Sequence, residues 1–391
     1  MTVSSQTRCR VCATELPVPY LDLGVQPMAN GLLDHPTDPA ITAPLAVALC
    51  PDCGLSQLTV TVDPTVLYAN YPFYSGTSPA WAAHCRALAR SVPVGGLVVD
   101  IAANDGTQLL AFNAVGWRCV GVEPADTIPA PLGIPMVRRF FDESVAVEIR
   151  DLHGPADVVI AQNVLGHVQD PVGFLRGVST LLASQGQAVV EVPDVYDLIG
   201  NLAFDTIYHE HLNYWSARAM RRACWLAGLV IDHVDPLPAM HGGSRRYWLR
   251  RRVAPRPEVR PLNTALFQEF GDAVETHLSE VQSVLNAVQS DGRSLWAFGA
   301  SAKGTVMLNA LAHRANLVRP TVIVDDAPSK QGRYSPGLHI PIRPLSGTVA
   351  PDDSVCWLLS WNWADSIVPR LRKAGFAGRV LVTQPTIRNI D

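Results

Sequence analysis

The stretch Phe204 to Ser216, FDTIYHEHLNYWS, sets Tyr208, His209, Glu210 and His211 side by side. An imidazole takes up and releases a proton near neutral pH. A carboxylate beside it can fix its tautomer and stabilise its charged form, and neighbouring donors can hold a developing oxyanion. The block therefore has the makings of a general-base site. Taken alone, the tetrapeptide is equally compatible with a satisfied histidine cluster or a polar loop. It is not compatible with a buried strand that leaves these groups unpaired.

A second chemical set lies near the N-terminus. CRVC carries Cys9 and Cys12, and CPDC carries Cys50 and Cys53. Two such knuckles place four thiolates tetrahedrally around Zn²⁺. Segment 13–49 between them is rich in proline and turn residues, as a loop that must swing out and return would be. A redox pair is the alternative, but it would not need the second knuckle. Four sulfurs close the shell and leave no position for water, so the expected metal is structural.

The elements that must position these groups follow from pattern. At 391 residues, two or three domains of about 150 residues are expected. Hydrophobic residues at 48% and charged residues at 17% support packed cores and argue against a disordered chain. A formal charge of −4 provides no basic field for nucleic acid. The 31 basic residues include three lysines, Lys303, Lys330 and Lys373, and hence 28 arginines. That bias is compositional, but it makes the placement of the lysines informative. MTVSSQTRCR has no apolar signal core, and no run approaches the roughly eighteen apolar residues of a bilayer span. The expectation is a soluble cytoplasmic protein whose eight cysteines sit in a reducing compartment.

From about residue 90, strands alternate with helices. GGLVVDIAANDGTQLLAF reads as a strand from Leu97 to Ile101, a small-residue turn from Ala102 to Gly106 and a helix. WRCVGVEPAD gives a second strand ending at Glu123, and ADVVIAQNVLGHV and LLASQGQAVVEVPD supply two more. This alternation predicts a parallel, doubly wound α/β sheet. The first turn lacks G-x-G-x-x-G. An acid at the end of the second strand suits the two ribose hydroxyls of a nucleoside ligand. NAD and S-adenosylmethionine both fit that acid. The absent phosphate-binding glycine turn favours S-adenosylmethionine. Asp100, Asn104, Asp105, Gly106, Glu123 and Pro124 are the expected cofactor residues.

Residues 255–290 show apolar positions at helical spacing and predict a long connecting helix. A second α/β unit then begins with SLWAFGASAKGTVMLNAL. GASAKGT is not a Walker A loop, because its lysine precedes the second glycine. Backbone N–H groups and a lysine at a helix N-terminus still suit an anion. Ser301, Lys303, Lys330 and Arg333 are therefore expected to meet a diphosphate, with solvated loop charges as the alternative.

DIAANDGTQLL, GVEPAD, NVLGHVQDPVGFL, EVPDVYDLI, FDTIYHEHLNYWS and HGGSRR occur in this order, after the paired knuckles. In this the chain resembles the bacterial deoxysugar C-methyltransferases, which methylate a carbon of a nucleotide-linked 4-keto sugar in antibiotic pathways. The resemblance covers nearly the whole chain. One departure is the missing glycine in the first turn, where Ala102 and Ala103 stand; alanine should still permit a tight turn. The resemblance implies a small zinc module over 1–65 and an S-adenosylmethionine-dependent methyltransferase sheet over 66–254. It further implies a helical linker over 255–290 and a Rossmann-like nucleotide-sugar domain over 291–391.

Carbon has no lone pair with which to attack a methyl group. A ketone next to it makes its C–H acidic, and proton removal gives an enolate. The resemblance implies His211 as the base, with Tyr208, Glu210 and Tyr74 in the same site and His209 turned away; aromatic packing is the alternative for Tyr74. His167 follows the third strand, where open α/β sheets bind ligands, and is expected to polarise the ketone, with a surface histidine as the alternative. The resemblance also implies that Asn163 meets the cofactor and that His241, Ser244 and Arg246 meet the substrate. The expected partner is a nucleotide-linked keto-deoxysugar, dTDP-linked, with no nucleic acid or membrane and a monomeric chain. Overall likeness favours methylation at C3 over C5. Sugar O-methylation, a dehydrogenase and a non-catalytic zinc-dependent module are the competing readings.

Overall fold

The computed structural model describes residues 3–68, 75–238, 240, 242–252, 255–257, 261–314, 318–346 and 353–390. The N-terminal part builds a four-stranded antiparallel sheet. Three strands are its own: Leu21–Pro27, Thr42–Leu49 and Ser56–Leu58. The fourth is Asn213–Tyr214, which pairs antiparallel with Ser56–Leu58 and comes from directly after the tyrosine–histidine block. The expected 1–65 module therefore does not close on itself.

The middle sheet has seven strands: β1 (Leu97–Ile101), β2 (Arg118–Val122), β3 (Met136–Val137), β4 (Ala156–Gln162), β5 (Leu182–Pro193), β6 (Leu229–Leu237) and β7 (Ser244–Arg251). Their spatial order is β6-β7-β5-β4-β1-β2-β3. β1 to β5 are mutually parallel, while β7 runs antiparallel between β5 and β6. Helix α1 (Pro79–Ser91) covers one face; the side chain of Ser78 caps it by accepting from the Trp81 amide, and Pro79 occupies its first turn. Helix α2 (Thr107–Asn113) follows β1.

The C-terminal sheet comprises β8 (Leu295–Phe298), β9 (Ile323–Val324), β10 (Ile342–Arg343), β11 (Val355–Leu358), β12 (Arg379–Val382) and β13 (Arg388–Ile390). The order β10-β9-β8-β11-β12-β13 is that of a dinucleotide-binding sheet, 3-2-1-4-5-6, with an antiparallel last strand. In both sheets the order reverses next to the first strand, between β1 and β4 and between β8 and β11. Ligands of open α/β sheets bind outside the carboxyl ends of the strands at such points.

The connecting helix α3 is shorter than expected. It spans Ala265–Ser290, not 255–290, because Pro255, Pro257 and Pro261 cannot supply helical amide bonds. Phe267, Phe270, Val274, Leu278, Val281, Leu285 and Val288 form its buried stripe. Phe267 packs edge-on against Tyr20 at 5.3 Å. Gly271 is required there, since a Cβ would come within 2.1 Å of the Tyr20 carbonyl oxygen. One hydrophobic core joins Tyr20, Leu45 and Leu58, then Phe204, Ile207 and Leu212, then α3 and Trp357 of β11. The segment 204–214 thus sits where all three parts of the chain meet.

Candidate active site

Between the 3₁₀ turn Phe204–Thr206 and the short strand Asn213–Tyr214, the chain has no regular structure. Its shape is imposed by neighbours. Phe204 is fully buried and faces His277 of α3. His209 is also fully buried, and its Nε2 donates to the carbonyls of Ala43 and Pro44, each at 3.2 Å. Burial lowers its pKa and favours the neutral ring. His209 is thus turned into the N-terminal sheet, as expected.

His211 lies on the other side. Its Nδ1 bonds the Thr206 carbonyl at 2.8 Å, which makes Nδ1 the protonated nitrogen and puts the lone pair of the neutral ring on Nε2. A backbone carbonyl thus fixes this tautomer, where a carboxylate was expected. Tyr208 packs on the His211 ring with centroids 4.0 Å apart, and His167 meets it edge-on at 4.9 Å. The nearly buried Glu210 accepts from Asn30 Nδ2 at 3.0 Å. Burial raises its pKa, and the Asn30 bond opposes that rise.

His167 is brought to His211 by two residues after the block. Asn213 donates its backbone N–H to the Gly166 carbonyl at 3.0 Å and its amide to the Val168 carbonyl at 2.7 Å. Trp215 Nε1 donates to the Leu165 carbonyl at 3.3 Å. Arg10, between the first two cysteines, binds the carbonyls of Leu58 at 2.8 Å and Leu212 at 3.5 Å. Asn30, Arg10 and Asn213 were not singled out from sequence. The signal they left, polar residues beside a cysteine or within the block, is too common to select them.

The four cysteine sulfurs lie within 4.8 Å of one another, with Cys9–Cys53 and Cys12–Cys50 each at 3.4 Å. A tetrahedron with Zn–S bonds of about 2.3 Å has edges of about 3.8 Å, so the cluster fits the ion with small adjustments. The amides of Val11 and Cys53 donate to Cys9 and Cys50 sulfurs, which suits thiolates.

At the carboxyl ends of the middle sheet, Ala102, Asn104 and Gly106 all have positive φ, at 58°, 52° and 76°. The departure from glycine at Ala102 therefore puts alanine in a left-handed conformation, which costs about 1–2 kcal/mol. Gly106 is obligatory, since a Cβ would come within 2.5 Å of Pro131. Glu123 shapes this loop by accepting from the amides of Asn104 and Ala125, each at 2.9 Å. Asp105 ties the loop to the segment before α1 by accepting from the Gly76 amide at 2.6 Å. Pro124 is half-buried beside Glu123, and Asn163 (φ 55°) follows β4 with its amide on the Glu191 carbonyl. Burial pushes the Asp100 carboxyl well up, aided by the nearby Glu123 and Glu191 carboxylates.

The residues expected to meet substrate have protein partners. Arg246 bonds Glu191 at 2.6 Å and lies 3.2 Å from His84. Burial would raise the Glu191 pKa, but His84 and Arg246 outweigh it and hold the carboxyl low. Ser244 donates to the Met240 carbonyl. Ser301 caps the helix Ala302–Ala312. Lys303 stands 4.5 Å above the Trp361 ring. Lys330 binds the Ala300 carbonyl at 2.9 Å and lies 3.5 Å from Asp325, and Arg333 pairs with Asp34 at 2.8 Å. Each of these two loop cations therefore has an acidic neighbour in the fold. Tyr74 and His241 lie outside the described residues.

Sequence reading also missed Asp325. It accepts from the amides of Ala300 at 2.8 Å and Ala327 at 2.9 Å, the same pattern that Glu123 makes in the middle sheet. Beside it is a cavity of about 300 Å³ lined by Phe298, Gly299, Ser360, Trp363 and Arg370.

Three family models match in series: a zinc binding domain over residues 9–68, a methyltransferase domain over 79–234 and a C-methyltransferase C-terminal domain over 239–385. The chain is 29% identical to C-methyltransferase NovU of Streptomyces niveus, over 98% of its own length and 96% of that protein's. The three matches in series and this relative support the deoxysugar C-methyltransferase family. This C-methyltransferase uses S-adenosylmethionine and carries structural zinc. Solved structures similar to it include CalO1, a methyltransferase of calicheamicin biosynthesis, at 20% identity and TM-score 0.35 over 44% of this chain and 55% of that one. The glycopeptide N-methyltransferase MtfA is similar at 14% identity and TM-score 0.34, over 43% of this chain and 92% of that one. Both overall likenesses are low. Among the described residues, no helix is long and apolar enough to cross a membrane.

Proposed function

We propose that this C-methyltransferase methylates C3 of a dTDP-linked 4-keto-deoxysugar by way of an enolate, with His211 as the general base. The observation that carries the reading is the His211 ring. Its Nδ1 is committed to the Thr206 carbonyl, so the neutral ring presents its lone pair at Nε2, with Tyr208 and His167 against it. S-adenosylmethionine supplies an electrophilic methyl group when bound. His211 removes the proton α to the C4 ketone, and Tyr208 and His167 stabilise the oxygen charge that develops. Glu210, held by Asn30, shapes the floor of the site. Glu123 takes the ribose diol of the cofactor, in the position such acids occupy in doubly wound sheets. Asp325, with the same two-amide pattern, is assigned to the sugar of the substrate's nucleotide beside the C-terminal cavity.

The test is product analysis. Enzyme, S-adenosylmethionine and a dTDP-4-keto-deoxysugar should yield a new methyl group on C3 by NMR. His211→Asn should lower turnover by about 10²–10⁴-fold, as loss of a general base does. A methyl on C5 would move the site of attack, and a methyl on oxygen would displace the enolate route.

A further inference from the structure

The segment that carries His211 is fastened from the far side by the C-terminal sheet. Asp205 is buried in the 3₁₀ turn Phe204–Thr206, and its Oδ2 accepts from Trp361 Nε1 at 2.6 Å. Its Oδ1 is buried with no hydrogen-bond partner among the described residues, so the indole N–H is the side-chain hydrogen bond this carboxylate makes there, with the Lys303 charge also acting on it. Trp361 opens the turn Trp361–Trp363, which follows β11. Above the same ring stands the Lys303 ammonium, 4.5 Å from the centroid, at the start of the helix after β8. A cation on an indole face draws electron density toward itself and makes the ring N–H a stronger donor. The next residue after Asp205 is Thr206, whose carbonyl accepts from His211 Nδ1 at 2.8 Å. A short path therefore runs from Lys303 and Trp361 through Asp205 to the carbonyl that sets the His211 tautomer.

We propose that Asp205 is a positioning residue for His211, and that the Trp361 hydrogen bond makes it one. This rests on the reading of His211 as the base. Phe204 fixes the depth of the turn by packing, and the Thr206 hydroxyl bonds back to Ala203 at 2.7 Å. Without the indole bond, the buried carboxylate must find water or another donor, and the Thr206 carbonyl moves with it. His211 then loses the acceptor that holds its proton on Nδ1. The other neutral tautomer, with the proton on Nε2, cannot take a proton from substrate at that atom.

Trp361→Phe tests this, since it keeps a ring under Lys303 and removes only the N–H and part of the bicycle. The readout is ¹⁵N NMR of histidine-labelled full-length enzyme, with the His211 signals assigned by their absence in His211→Asn. In the wild type, Nδ1 should be pyrrole-like and Nε2 pyridine-like. In Trp361→Phe the two should move toward each other, and kcat should fall about tenfold or more, with affinity for S-adenosylhomocysteine unchanged. Asp205→Leu reads the same contact from the other side and should give the same signature. Asp205→Asn keeps an acceptor for the indole and should retain more of kcat than Asp205→Leu. Wild-type nitrogen shifts with kcat within about twofold, in either folded variant, would overturn the proposal. The reading of His211 as base fails separately, through an active His211→Asn, which leaves the tautomer measurement intact.

Discussion

Replacing Glu123 separates its loop-shaping role from its cofactor role. The carboxylate already accepts two backbone amides, from Asn104 and Ala125. Each oxygen has a further lone pair for a ribose hydroxyl. Hydrogen bonds to a charged group contribute about 1.5–3 kcal/mol each and do not add fully. Glu123→Ala should therefore weaken binding of S-adenosylhomocysteine by about 2–3 kcal/mol, or about 30- to 150-fold in Kd. Glu123→Gln turns an amide NH₂ toward one backbone N–H and leaves that donor unpaired, which costs about 1–3 kcal/mol of stability as well. The sign of the pH effect follows from burial, which raises the Glu123 pKa above its ordinary value. A raised folded pKa means that this group's contribution to stability is present at acid pH and lost as pH rises through that value. Ligand binding runs the other way, because the hydroxyls need the ionised form. Affinity should therefore fall on acidification, with its limb above the ordinary carboxylate range, and Glu123→Gln should flatten that limb. Calorimetric titration with S-adenosylhomocysteine between about pH 4.5 and 8 measures both effects. An unchanged Kd in Glu123→Ala, or the same acid limb in Glu123→Gln, would refute the placement.

Two other predictions concern the scaffold. Elemental analysis should find one zinc per chain, and chelation should lower Tm and abolish turnover together. Zinc binding of about 10–16 kcal/mol exceeds what a small module retains without it, and Asn213–Tyr214 would lose its strand partner; metal-free protein with wild-type turnover would contradict this. Asn213→Ala should leave the Val168 carbonyl unpaired, cost about 1–3 kcal/mol in thermal unfolding, and lower kcat more than it weakens cofactor binding; an unchanged kcat would mean that His167 is held by other contacts.

Much of the fold was legible because local pattern carries it. Strand–helix alternation marked both α/β sheets, and the knuckle spacing marked the Cys9, Cys12, Cys50, Cys53 cluster. Chemistry-bearing residue types were also visible, since Tyr208, His209, Glu210 and His211 stand side by side. What stayed hidden depends on contacts across long stretches of chain. The pairing of residues 56–58 with 213–214, the Asn30–Glu210 bond and the Asp205–Trp361 bond leave no periodic trace in sequence. The contacts of the loop charges were hidden for the same reason. Lys330 and Arg333 look available in a one-dimensional reading, yet Asp325, Ala300 and Asp34 fold up against them. Apolar spacing alone predicts a helix over 255–290, and three prolines at its start confine it to Ala265–Ser290. Asp325 leaves little trace in sequence, because its role shows only when the Ala300 and Ala327 amides fold onto its carboxylate.

The central claim is that His211 removes a proton before carbon meets the methyl group. That step does not strictly require the methyl donor. Enzyme, S-adenosylhomocysteine and a dTDP-4-keto-deoxysugar in D₂O should therefore exchange hydrogen for deuterium at one carbon beside the ketone, read by NMR. Exchange at C3 that is lost in His211→Asn is the predicted result. Exchange at C5 would relocate the attack, and exchange that survives in His211→Asn would place the base elsewhere, with His167 the next candidate. No exchange at either carbon by the wild-type enzyme would contradict the proton-first account.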